Sequence, residues 1–158
     1  MLSAARRRLA VIASVLLLGL VAAGCGEVRE QTQWTGSRTH GVSVNAGDIG
    51  IRNALVVADE DGQQATVLAM FANSGVADDE LVAIRVEGLD VEPEGGPLAI
   101  PARGNVSVGP DHTRLDVTGA AAEPGRRIDL EFIFANAPRA TVSALVQPAD
   151  GIYAGALN

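Results

Sequence analysis

Lysine is absent from this chain: all 12 basic residues are arginine, set against 19 acidic ones, for a formal net charge of −7. Cysteine occurs once, at Cys25, so no intramolecular disulfide can form and the core has to hold by packing alone. Histidine occurs twice, at His40 and His112, and Met70 is the one methionine after the first residue. A nucleophilic enzyme needs a serine or cysteine beside a base, and neither a Gly-x-Ser-x-Gly elbow nor a Walker-type phosphate loop is present. The chain is therefore expected not to be an enzyme. The excess of acid repels phosphate backbones, which argues against nucleic acid as a partner. Aromatic residues are also scarce: Trp34, Phe71, Phe132, Phe134 and Tyr153 leave little for the exposed aromatic face of a carbohydrate or peptide binder.

What is present begins with a three-part N-terminus: Arg6, Arg7 and Arg8, then an apolar run, then small residues up to Gly24. This is the plan of an export signal. The apolar run of residues 9–23, about 15 long, falls short of the roughly 20 residues of a permanent membrane helix, so removal is expected rather than retention. Ala22-Ala23-Gly24-Cys25 resembles the lipobox of bacterial lipoproteins, in which the cysteine thiol receives a diacylglyceryl group and becomes the new N-terminus. The alternative is an ordinary secretory signal that happens to contain a cysteine, but an unpaired thiol in an exported protein needs another explanation. Lipidation supplies one, because two acyl chains hold stably where one holds only marginally. Residues 1–24 are thus expected to be a removed signal peptide; Arg6, Arg7 and Arg8 also suggest the twin-arginine route, but their flanking residues fit it poorly and favour the general secretory one. Cys25 is expected to be the lipidation site, fixing the protein to the outer face of the cell membrane.

Cleavage there leaves one domain's worth of chain, enough to bury roughly two thirds of its unfolded surface. Nine arginines then face all 19 acidic residues, a net charge of −10. Residues 25–47 are polar and hold no lasting period, which predicts a flexible tether, and some 20 such residues span roughly 25 Å. Trp34 within it either packs on its own domain or dips into the membrane interface. Residues 48–147 carry short apolar runs separated by turn residues, the spacing of an antiparallel sandwich of seven to nine strands. Runs are expected at residues 49–57, 65–72, 81–86, 89–91, 98–100, 105–108, 113–118, 128–134 and 139–146. The clearest is the penultimate, where Ile128, Leu130, Phe132 and Phe134 point one way and Asp129 and Glu131 the other. Windows such as residues 66–71 are apolar on both faces, as expected of strands in the middle of a sandwich. Residues 148–158 are expected to form a C-terminal tail.

Three clusters of oxygen and nitrogen donors stand out. Asp59-Glu60-Asp61-Gly62 reads first as a hairpin turn, since Asp-Gly readily takes positive φ, and Asp78-Asp79-Glu80 as a solvated loop before a strand. Either gathers oxygens of the kind Ca²⁺ needs, though neither has EF-hand spacing. His112, with Asp111 and Asp116, makes a candidate metal site at a sandwich edge, set against a plain turn histidine.

The stretches Ala65-Thr-Val-Leu-Ala-Met-Phe-Ala-Asn-Ser-Gly75, Asp79-Glu-Leu-Val-Ala-Ile84, Leu98-Ala-Ile-Pro-Ala-Arg-Gly104 and Pro124-Gly-Arg-Arg-Ile-Asp-Leu-Glu-Phe-Ile-Phe134 before Ala140-Thr-Val142 resemble the periplasmic copper chaperones of the PCu(A)C type. More closely, the chain resembles actinobacterial envelope lipoproteins built on that plan, and the arginine-only basic set fits a GC-rich genome. The resemblance implies an all-β, immunoglobulin/cupredoxin-like sandwich over residues 51–146. It also implies a methionine and histidine copper set ending in a His-x-Met pair, suited to soft Cu(I). Here the chain departs from the pattern, with Arg114-Leu115-Asp116 where that pair would fall. The leading expectation is therefore a non-enzymatic, lipid-anchored interaction domain without a cofactor, partnered by the membrane and by an envelope protein. The alternative is a copper-handling protein with a degenerate or rebuilt site at His112, Asp111 and Asp116. A third, an unrecognised hydrolase, rests only on the abundance of carboxylates.

Overall fold

The structure, a computed structural model, describes residues 41–158. The signal segment, Cys25, Trp34, His40 and most of the expected tether lie outside the described residues.

Ten strands follow one another: β1 (Val42–Ala46), β2 (Ile49–Ala58), β3 (Gln64–Asn73), β4 (Asp79–Val86), β5 (Leu89–Val91), β6 (Leu98–Ile100), β7 (Asn105–Val108), β8 (Asp116–Thr118), β9 (Arg127–Phe134) and β10 (Ala140–Pro148), with a single 3₁₀ turn at Gly151–Tyr153. The all-β sandwich expected from the alternation is the fold observed. One layer is built on β2 and β3, with β1 beside β2 and with β7 and β8 in turn beside β3. The other is built on β4 and β9, with β5 and β6 on the far edge of β4. The last strand, β10, belongs to both. Its first part runs antiparallel to β9 from Ala140 to Leu145, and its last three residues run parallel to β2. That parallel pairing departs from the purely antiparallel arrangement expected, because a strand that crosses from one layer to the other meets its second neighbour in the opposite sense.

Alternation sets which side chains fill the interior. Along β9, Ile128, Leu130, Phe132 and Phe134 are buried while Arg127 and Asp129 face water. Phe71 of β3 meets Phe132 and Phe134 edge to face, with ring centroids 5.7 and 6.1 Å apart, which joins the two layers through aromatic contact. At the β2–β3 hairpin the Asp59 carboxylate accepts hydrogen bonds from the N–H groups of Gln63 (2.8 Å) and Gln64 (3.2 Å), and Gly62 takes φ +66°. The Asp-Gly turn is thus observed, with Asp59 spent on the backbone. A Cβ at Gly62 would also lie 2.8 Å from backbone atoms of Ala122 and Glu123, so the position demands glycine on two counts.

Three further features differ from the sequence-based expectations. The expected tether reaches to residue 47, yet Val42–Ala46 is a strand, and its Val42, Val44 and Ala46 pack against the core. The run at residues 113–118 shortens to Asp116–Thr118, because residues 109–113 close a turn. The expected tail at residues 148–158 packs on the molecule: Ala149, Tyr153 and Ala156 cover Leu55, Val57 and Leu68 on the outer face of β2 and β3. That cover explains why those strands are apolar on both faces.

Candidate functional site

The His112 turn connects β7 to β8. Within it the Gly109 N–H donates to the Thr113 carbonyl (3.1 Å) and the His112 N–H to the Gly109 carbonyl (3.0 Å), leaving the side chains of Asp111 and His112 exposed. The chain then becomes extended, and Leu115 turns fully into the core while its carbonyl accepts the Val67 N–H at 3.0 Å. With Leu115 inward, its neighbours Arg114 and Asp116 share the outer side. They form a bidentate fork, Nε to Oδ2 at 2.8 Å and Nη2 to Oδ1 at 3.0 Å. Hydrogen bonding to Asp116, more than the charge attraction that accompanies it, holds the Arg114 guanidinium above its ordinary pKa.

Both oxygens of Asp116 are therefore engaged. Of the three residues expected to hold a metal, the structure leaves Asp111 and His112 open to solvent and ties Asp116 to Arg114. Among the described residues, no three His, Cys, Asp or Glu side chains come together as a metal-binding group. His112 is the sole imidazole among them, and Met70 the sole thioether. Met70 stands at 38 % exposure on the outer side of β3, across from Arg52 of β2 and Ser107 of β7, rather than inside the sandwich.

A second constellation lies at the end of the sandwich formed by the β1–β2, β3–β4 and β9–β10 loops. There a cavity of about 580 Å³ is lined in part by Asp48, Asn73, Val76, Asp78, Asp79 and Asn136. Asp78 and Glu80 are exposed, as expected of a solvated loop, but Asp79 is buried and opens β4. Its carboxylate accepts the backbone N–H groups of Glu80 (2.8 Å), Asn136 (3.0 Å) and Ala137 (2.8 Å). Burial alone would push this carboxyl up. The backbone donors of Glu80, Asn136 and Ala137, aided by the Asn136 amide, outweigh burial and hold it below the usual carboxylate range. Asn73 completes the loop end: its amide donates to the carbonyls of Ala77 (2.8 Å) and Ile100 (3.2 Å), and its Oδ1 accepts the Gly75 N–H (2.9 Å). Sequence reasoning missed Asp79 as a clamp because two of its partners lie 57 and 58 residues away. No local signal marks it out from Asp78.

The sequence matches no protein-family model, and it matches no curated protein. Solved structures do match. A copper-bound PCuAC domain from PmoF2 superposes with a TM-score of 0.61 at 17 % identity, over 68 % of this chain and 98 % of that domain. An apo PCuAC domain from PmoF1 gives 0.62 at 20 % identity, over 68 % and 99 %. The apo PmoF2 domain gives 0.55 at 16 %, over 70 % and 98 %. The scaffold is PCuAC-like. At these identities the likeness concerns the fold, and the donor chemistry of this chain has to be weighed by itself. Soft Cu(I) calls for sulfur and imidazole ligands. On this PCuAC-like scaffold Arg114 and Asp116, which the resemblance puts in place of a His-x-Met pair, are a guanidinium and a carboxylate locked to each other. That pair does not fit a Cu(I) site, and His112 is the one imidazole that the described residues offer a copper ion.

Proposed function

We propose that the chain is a copper-handling protein of the cell envelope, lipid-anchored through Cys25, with a metal site rebuilt around His112 and Asp111. Copper is cargo in this reading, not a resident cofactor. The supporting observation is the match of the fold, over nearly the full length of the compared domain, to a PCuAC domain with copper bound. His112 is exposed and Asp111 beside it is exposed and free of the Arg114 fork, so an imidazole and a carboxylate are available to an incoming ion. Such a donor set is harder than methionine and histidine together, which shifts preference from Cu(I) toward Cu(II) and makes binding weak. Removal of the signal peptide and lipidation of Cys25 are supported by the basic, apolar and small-residue sequence of residues 1–25. Two experiments test this. Cu(II) should bind the protein in equilibrium dialysis and be lost from His112→Ala, and Cys25→Ser should move the protein from the membrane to the soluble fraction. Equal copper in both proteins, or no shift on fractionation, contradicts the respective part.

One observation favours a second reading: Arg114 and Asp116, which the resemblance puts in place of a His-x-Met pair, are tied to each other in an ion pair. On that reading the PCuAC-like scaffold is kept as a non-enzymatic interaction domain for another envelope protein. It predicts no Cu(II) bound in equilibrium dialysis and a specific envelope protein recovered with the bait. Neither reading calls for catalysis.

A further inference from the structure

The outer face of β2 and β3 carries an apolar strip that the sandwich core does not use. Leu55 and Val57 point away from the interior, yet they are only 1 % and 0 % exposed, because Ala149, Tyr153 and Ala156 lie over them and over Leu68. The covering segment, residues 149–158, is thinly attached. One backbone bond, Ala149 N–H to the Ala58 carbonyl at 3.0 Å, ties its start to β2. Its other backbone bonds are local turns: Tyr153 to Asp150, Ala154 to Gly151, Ala156 to Tyr153 and Asn158 to Gly155. Its largest aliphatic side chain toward water, Ile152, is 83 % exposed and adds nothing to the packing. At the far end the segment is held by Arg114, whose Nη1 donates to the Asn158 carbonyl (2.7 Å) and Nη2 to the Ala156 carbonyl (3.3 Å). Asp116 aims that guanidinium through the fork described above.

We infer that residues 149–158 are a releasable strap, clasped by Arg114 over the apolar strip, which opens as a local unit while the sandwich stays folded. Segments with few buried apolar contacts and mostly local hydrogen bonds open at lower free energy than the core. β2 and β3 are held independently of the strap, by their pairing with each other and with β1, β7, β8 and β10. Opening therefore uncovers Leu55, Val57 and Leu68 on an intact sheet. Met70, two residues along β3 from Leu68 and so on the same face, already extends that strip into solvent. The clasp is ionic on one side and near the surface, so salt weakens it. Nothing in this inference depends on whether copper binds.

Amide hydrogen exchange on the whole chain tests it, comparing the parent with Arg114→Gln and with Tyr153→Ala, which removes apolar cover and leaves the clasp; Arg139→Gln, a surface ion pair elsewhere, is the control. Charge-assisted hydrogen bonds to the strap carbonyls are lost in Arg114→Gln, so the Tyr153 and Ala156 amides should exchange roughly tenfold faster or more, with β2 and β3 amides unchanged. Tyr153→Ala should likewise speed strap amides alone, and a hydrophobic dye should bind both variants more than the control. Strap amides that keep the parent rate in both variants overturn the inference. So does an equal acceleration of strap and β2–β3 amides, which would make the segment an ordinary part of the global fold.

Discussion

Asp79 is the residue on which the loop end of the sandwich depends. Three backbone N–H groups, one from the adjacent Glu80 and two from the distant β9–β10 loop, converge on its carboxylate, and its removal would leave them without a partner in a buried setting. Asp79→Ala should lower unfolding free energy by about 3 kcal/mol, read from urea denaturation at neutral pH, and Asp79→Asn by less. The pH dependence has a definite sign. The folded carboxyl titrates below its unfolded value, so its contribution is complete above about pH 4 and fades as pH falls through the lowered folded value. The parent and Asp79→Asn should accordingly converge in stability in strong acid, separate as pH rises toward about 4, and keep a constant difference above that. A difference that grows on acidification would show that burial, not the backbone donors, governs this group. At this scale the sequence was partly legible. Asp59 could be placed in its turn because Asp-Gly chemistry is local, whereas Asp79 and the Arg114–Asp116 fork depend on what distant backbone supplies or on which way Leu115 faces.

Among the strands, legibility followed the strength of alternation and the presence of turn residues. Residues 98–100 and 105–108 were bounded as observed, and β9 declared its buried face through Ile128, Leu130, Phe132 and Phe134. Val42–Ala46 alternates too, but over five residues beside a polar stretch, and what makes it a strand is pairing with β2 through Val42 to Ala54 and Val44 to Ile51. The parallel run of β10 along β2 was hidden for the same reason, since it arises from a crossing between layers. A soluble form starting at residue 48, the boundary that the sequence suggests, should therefore be less stable than one starting at residue 41. It loses the packing of Val42, Val44 and Ala46 and leaves the first half of β2 with an open edge, a penalty of about 3 kcal/mol from apolar burial alone. Coincident denaturation curves for the two forms would return β1 to the tether.

For the molecule as a whole, the framework runs that suggested a PCu(A)C-like sandwich lie on β3, β4, β6, β9 and β10, and the neighbours in three dimensions are PCuAC domains. Framework residues are readable because they repeat the sandwich's own packing demands. Function is less so, because it rests on a few side chains whose company the fold decides. Of the expected metal trio, Asp116 is taken by Arg114, and His112 with Asp111 is what remains. The direct test is a Cu(I) and Cu(II) titration of a soluble form beginning at residue 26, beside His112→Ala, with a competing chelator of known affinity. Copper handling predicts one-to-one binding, stronger for Cu(II) than for Cu(I), that disappears in His112→Ala. Absent or non-stoichiometric binding, or binding that His112→Ala leaves unchanged, contradicts it.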